Sequence, residues 1–278
     1  MIQTSSAMRR LIVNADDFGR SESINRAVIL AHREGILTAA SLMVNEPAAE
    51  EAVRLARENP KLGVGLHLSL VCGTPALPPE RIPQLAVNGR QFSDNAPATG
   101  FRYFFSSRCK EQLRGEIEAQ VMKFRATGLV MDHLNGHLNL HLHPAVFGIL
   151  MDNAERWGLA AMRLTSDPFF LNARLAGGQW AYRASHAVIF QLLSRRARGI
   201  LGRKNIRHTA AVFGLLQNAR VDAAYVAKLL PRLPPGDSEL YSHPSMDQFK
   251  NELDALLDPA VRNLPRQLGI QLIRYQDL

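Results

Sequence analysis

Short apolar runs alternate with longer stretches in which apolar residues recur every three or four positions, and this alternation continues along most of the chain. Leu11–Asn14, Ala39–Val44, Leu62–Leu70, Ala160–Leu164, Ala210–Leu216, Leu240–Ser242 and Gln271–Tyr275 have the length and composition of strands. Ser23–Arg33, Pro47–Asn59, Lys110–Ala126, Pro144–Trp157, Asp222–Leu230 and Asp247–Leu257 have the period of amphipathic helices, with Gly35 as a stop and Pro47 near a start. A Pro/Gly-rich loop is expected from Cys72 to about Gly100, and Leu129–Leu134 leads into a group of histidines. Repeated strand–helix alternation predicts an α/β fold on a parallel sheet, and about seven or eight strands favour closure into a barrel.

The polar clusters fall where apolar runs end. Asp16 and Asp17 close the first run, His67 another, and His243 follows Leu240–Ser242. His133, His137, His141 and His143 crowd 11 residues. In parallel α/β folds these positions share the C-terminal edge of the sheet, where chemistry gathers. Two adjacent carboxylates raise each other's pKa and stay ionised only beside a cation. An Asp with two histidines and a position left open describes a hydrolytic metal site. Each feature also has a structural reading: Asp as a helix cap, His67 as a hydrogen-bonded core residue, His243 as a turn residue before Pro244. His133, His137 and His141 have i, i+4, i+8 spacing, but Asn135-Gly136 signals a turn, which favours a strand end and loop over one helix face. His141 and His143 then border the cleft or serve structure. Arg163, at another strand end, pairs with Asp16, contacts substrate or lies on the surface.

The 278 residues, 46% apolar and 21% charged, fit one large domain over residues 8–278, with residues 1–7 as an extension ahead of Met8. Cys72 and Cys109 form no disulfide framework. No run reaches the roughly 18 apolar residues of a membrane span, and the N-terminus lacks a signal-peptide apolar region, so a cytoplasmic location is expected. The net charge of +8 is uneven. Residues 168–221 hold eight arginines, one lysine and no acid, so the rest of the chain is close to neutral. That argues against a protein whose whole face tracks nucleic acid. Ala187–Leu193, followed by Arg195, Arg196 and Arg198, reads either as an amphipathic lid resting on an anionic membrane, peripheral on its inner face, or as an ordinary helix with a solvated basic end.

Asn14-Ala15-Asp16-Asp17-Phe18-Gly19, Gly65-Leu66-His67-Leu68, His133-Leu134-Asn135-Gly136-His137 and Ser242-His243-Pro244 occur in that order. Together they resemble the YdjC-type carbohydrate deacetylases over about residues 8–278. The resemblance implies a distorted (β/α) TIM-like barrel, here with an Arg-rich helical insertion at 168–221, and divalent-metal-dependent removal of N-acetyl groups from sugars. By the same resemblance Asp17, His67 and His137 fall on the metal ligands, Asp16 on the general base, and His243 on the residue assisting the leaving group. Arg163, His141 and His133 are candidates for substrate contact. Where the family usually has Asp-Ser before the ligand histidine, this chain has Asn135-Gly136, so the support of His137 is expected to be neutral. Within the family the second half is most similar to members associated with hopanoid biosynthesis, which implies an N-acetylglucosaminyl hopanoid glycolipid as substrate. Zinc suits two imidazoles and a carboxylate best, with Fe, Co and Ni also compatible and Mg less so.

Four other readings compete. A soluble chitooligosaccharide deacetylase keeps the chemistry and changes the substrate. A phosphoesterase would need a glycine-rich phosphate cradle or a second set of ligands, and neither is evident. A non-enzymatic, membrane-docking glycolipid-binding protein would keep the barrel without the metal. Nucleic-acid binding lacks the interleaved aromatics.

Overall fold

The computed structural model describes residues 8–87 and 91–278; the expected extension at 1–7 lies outside them. In chain order the elements are β1 (Arg9–Phe18), α1 (Glu22–Glu34), β2 (Ala39–Leu42), α2 (Ala49–Glu58), β3 (Gly63–Leu68), the short strands β4 (Ala86–Val87) and β5 (Gln91–Phe92), α3 (Ala96–Phe105), α4 (Ser107–Ala126), β6 (Leu134–Gly136) and α5 (Pro144–Asn153). There follow α6 (Phe169–Leu175), α7 (Trp180–Arg203), β7 (Ala211–Phe213), α8 (Ala223–Leu229), β8 (Gly236–Ser242), α9 (Lys250–Leu257), α10 (Pro259–Gln267) and β9 (Ile270–Leu272).

The strands form a curled parallel sheet in the order β6-β3-β2-β1-β8-β7, with β9 added beside the start of β1, while β4 and β5 pair separately. The outer strands are linked through residues 161–166. Leu134 bridges Met162, Ala161 bridges Arg207, and the Val212 amide donates to the Ser166 carbonyl at 3.0 Å. The arrangement is a distorted TIM-like one, with a regular ladder around β1 and isolated bridges opposite. Ala160–Leu164, expected as a strand, keeps the position and loses the ladder.

Alternation along β1 sorts its residues between two environments. Leu11, Val13 and Ala15 join the large apolar core, together with Ala27, Val28 and Ala31 of α1. Ile12, Asn14 and Asp16 form the other set. Ile12 clusters with Ala39, Ala161, Ile273 and Tyr275, and above that small apolar floor the enclosed residues turn polar. Helix α1 starts where the Ser21 hydroxyl accepts from the Ile24 amide and ends at Gly35, where a Cβ would lie 2.5 Å from the Leu256 carbonyl oxygen.

Two expectations are corrected, and one helix was not anticipated. The stretch from Cys72 to Gly100 is not all loop, because α3 begins at Ala96 with Asn95 capping it and Pro97 in its first turn. Asn135-Gly136 is not the turn: both residues pair with β3, and the chain turns at Leu138 and Asn139, each with positive φ. Helix α10 is the unanticipated one: it is amphipathic, but its internal Pro265 is a residue that ordinarily breaks a helix.

Candidate metal centre

Adjacent strand residues ordinarily point to opposite faces, yet Asp16 and Asp17 both serve one site. The pairing explains how. Ala15 faces Ala40 and Phe18 faces Leu42, so β1 spends one more residue than β2 over that interval. This bulge re-aims the side chains. Asp17 adopts a left-handed backbone (φ 65°), which Asp tolerates better than most residues.

Asp17 Oδ1 lies 3.2 Å from His67 Nε2 and 3.0 Å from His137 Nδ1. One ligand atom from each of the three buried side chains falls within 4.8 Å of the others. Arg20 donates to Asp17 Oδ2 at 3.0 Å, which keeps Oδ1 toward the imidazoles. Asn135 fixes the His67 tautomer. Its Nδ2 donates to Asp16 Oδ1 and to the Ser41 hydroxyl at 3.0 and 2.8 Å, so its Oδ1 must accept from His67 Nδ1–H at 2.7 Å. His67 Nε2 is then a bare lone pair, buried without a hydrogen-bond donor and facing a carboxylate oxygen. Two acceptors held face to face in a buried site fit a cation between them. The neutral support expected for His137 belongs instead to His67.

The charges agree with that fit. Burial favours the neutral acid at Asp17, but the charge and hydrogen bond of His137 outweigh it and hold the carboxyl well below its usual range. Burial opposes charge on His137, and the Asp17 carboxylate overcomes it, raising the imidazole to about 9. A proton on His137 thus does part of what a bound cation would do.

Asp16 sits beside this cluster. Its Oδ1 accepts from Asn14 Nδ2 at 2.8 Å, Asn135 Nδ2 at 3.0 Å and Arg163 Nη2 at 2.9 Å, while its Oδ2 accepts from Arg163 Nη1 at 2.7 Å. Burial again favours the neutral acid, and the Arg163 guanidinium outweighs it, so Asp16 stays ionised. Arg163 also donates to Glu239 and lies 4.9 Å from the Tyr241 ring centre. The Tyr241 hydroxyl is 2.7 Å from His243 Nε2, and His243 Nδ1 is 3.8 Å from Glu252. Asp17, His137, His243 and Arg20 line a cavity of about 460 Å³ with Leu138 and Asn218.

The structure therefore gathers Asp16, Asp17, His67, His137 and His243. Arg163, His133 and His141, the candidates for substrate contact, are fully buried. His133 donates from Nδ1 to Asp132, accepts from Ser41 and stacks on Tyr275; His141 bonds through Nε2 to the Arg163 carbonyl oxygen. None of the three lines the cavity. Arg20, Ser41, Asn135, Glu239 and Tyr241 complete the network without having been singled out for these parts. Glu239, Tyr241 and His243 recur at every second residue of one segment, a strand-face pattern that would have linked them.

Residues 10–267 match a family described as YdjC-like protein. A carbohydrate deacetylase from Brevibacillus brevis is 41% identical over 148 residues, covering 53% of this chain and 56% of that protein. One from Geobacillus stearothermophilus is 40% identical over 156 residues, covering 54% and 58%. The chain thus spans a little over half the length of these relatives. A structure from Enterococcus faecalis, described as a cellobiose-phosphate cleavage protein, superposes with a TM-score of 0.74 at 22% identity, covering 98% of this chain and 99% of that one, and shows a shared fold. A lactam utilization protein from Thermus thermophilus reaches 0.50 at 15% identity over 95% and 98% of the two chains. With the match running from the first strand to α10, the chain belongs to the family of YdjC-like proteins.

Proposed function

We propose that the protein is a metal-dependent N-deacetylase of an amino sugar, releasing acetate and a free amine. The observation that carries this reading is the convergence of Asp17, His67 and His137 beside a second, ionised carboxylate, with Asp17 and His137 lining one cavity. Those three side chains would hold a divalent ion, with zinc favoured by the two imidazoles. When bound, such an ion supplies a water of near-neutral pKa and polarises a carbonyl. Asp16 is the base. Its Oδ1 already has three donors, whereas Oδ2 has only Arg163 and room for a proton from water. Arg163 keeps Asp16 ionised and oriented. His243, steadied by Tyr241, is placed to give a proton to the departing amine.

The name carried by the relatives supports a carbohydrate substrate. The finer reading, an N-acetylglucosaminyl hopanoid glycolipid, rests on the sequence likeness and on the apolar, basic surface described below. Elemental analysis joined to acetate-release assays on soluble chitooligomers and on N-acetylglucosaminyl lipids tests both levels. Asp17→Asn, which suits the left-handed backbone, should lose bound metal and acetate release with an unchanged circular dichroism spectrum. Acetate release that survives this substitution would end the proposal.

A further inference from the structure

Helix α7 has two unlike sides. Its buried side places Phe190 in a cluster with Val212, Leu215, Leu216 and Tyr241, the residue that bonds His243. Its outer side carries Val188, Ile189 and Leu192, then Arg195 and Arg196, then Arg203, all exposed and held on one broad stripe by the steps of three, four and seven residues from Val188 to Leu192, from Leu192 to Arg195 and Arg196, and from Arg196 to Arg203. The first half of that stripe is apolar and the second half cationic. Phe170 of α6 is 81% exposed beside it, and Leu192 and Val188 are 63% and 60% exposed. Between the two helices runs an open groove of about 650 Å³ lined by Phe169, Phe170, Ala187, Val188 and Leu192. Single exposed apolar residues are ordinary, but a contiguous set marks an interaction site.

The patch lies near the metal centre. Helix α7 packs against the segment His137–Leu142, which supplies one metal-ligand candidate and exposes Leu138 at the cavity. The connection after β3, the sheet neighbour of β6, adds exposed Phe101, Phe104 and Phe105 on α3, with Lys110 at 5.9 Å from the Phe104 ring. Consecutive connections on the same edge of the sheet thus present apolar groups flanked by cations.

We propose that the outer face of α6 and α7 docks on an anionic phospholipid bilayer, with the apolar half of the stripe entering the acyl boundary and the arginines meeting the headgroups. Charge selects this occupant. The stripe carries Arg195, Arg196 and Arg203, and no acid occurs on α6 or α7, so two copies of the face repel each other. A polyanion alone would satisfy the arginines and leave Phe170, Val188 and Leu192 in water. An anionic bilayer satisfies both halves. The proposal deepens the glycolipid reading of the site by stating where the lipid end of such a substrate would lie.

Trp180 and Trp157 are the two tryptophans of the chain; Trp180 is exposed on α7 and Trp157 is buried. Emission changes on vesicle binding therefore report the start of the helix that carries the proposed face. The expected result is a blue shift and co-sedimentation with vesicles of phosphatidylcholine containing phosphatidylglycerol, weakened by salt and much reduced with phosphatidylcholine alone. Replacing Arg195, Arg196 and Arg203 by Gln should weaken partitioning on the order of 100-fold, at about 1 kcal/mol per cation near the surface. Leu192→Ser should weaken it without removing the salt dependence. The inference is overturned if wild-type protein ignores the anionic vesicles at low ionic strength. It is also overturned if soluble polyglutamate shifts Trp180 as vesicles do, or if Leu192→Ser dissociates a dimer. The two readings fail separately. Protein that docks on vesicles but releases no acetate keeps the surface and loses the deacetylase, and protein that deacetylates soluble oligomers but ignores vesicles does the reverse.

Discussion

Arg163→Met removes a guanidinium shared by two buried carboxylates, Asp16 and Glu239. At an effective dielectric of about 20, a pair of unit charges about 4 Å apart is worth about 4 kcal/mol. Asp16 can escape that loss by taking a proton. Doing so costs about 1.4 kcal/mol per pH unit above an unfolded pKa of about 3.9, again about 4 kcal/mol at pH 7. Both routes agree with the roughly 3–5 kcal/mol found when a buried pair loses one partner. The pH dependence separates them from mere loss of packing. In the native protein the Asp16 pKa is depressed, so its contribution is present above about pH 4 and is lost as pH falls below that. In the variant the folded pKa is raised, so the penalty is absent near pH 4 and grows as pH rises. Urea unfolding should therefore show a loss that is larger at pH 7 than at pH 5 by about 2.7 kcal/mol from Asp16. Adding Glu239→Gln separates the share of the second carboxylate. Acetate release should vanish, since a protonated Asp16 accepts nothing. A loss below about 1 kcal/mol at pH 7, or one that is equal at both pH values, would refute the reasoning.

Two further outcomes follow from other buried polar groups. Asn135→Leu takes away the acceptor that fixes the His67 tautomer, so metal affinity measured by chelator competition should fall about 10–100-fold, and unchanged affinity would show that Asn135 does not orient the ligand. Asp167 is buried near α6 and its pKa is pushed up to about 7, so its penalty on stability grows from about pH 4 to pH 7 and is level above. Asp167→Asn should raise stability at pH 8 by up to about 4 kcal/mol and change little at pH 4; equal effects at both pH values would count against a titrating Asp167.

Much of this was readable in the chain because strand ends are local features. The apolar run Leu11–Val13 followed by two acids, and the run ending in His67, announce both an element and its functional edge. What was not readable depends on partners far apart in sequence. Arg163 meets Asp16 across 147 positions and Glu239 across 76, and no local signal chooses between a surface arginine and that role. Asn135-Gly136 has the composition of a turn, but pairing of Leu134–Gly136 with Leu66–Leu68 and three side-chain hydrogen bonds of Asn135 hold it extended. Pro97 belongs to a region with loop composition yet sits in a first helical turn, where its missing amide costs nothing. Residues 161–166 have strand composition but face short neighbours, so only isolated bridges form.

The extra residue in β1 makes the site a matter of counting. A regular strand would send the second acid of the pair toward the surrounding helices, and a single carboxylate would have to serve as both ligand and base. Deleting one residue upstream of the bulge would shift the frame and hand each acid the other's address. The division of labour between two chemically identical neighbours is thus written in the spacing of the backbone, and a substitution that leaves both acids in place can still erase it by straightening the strand.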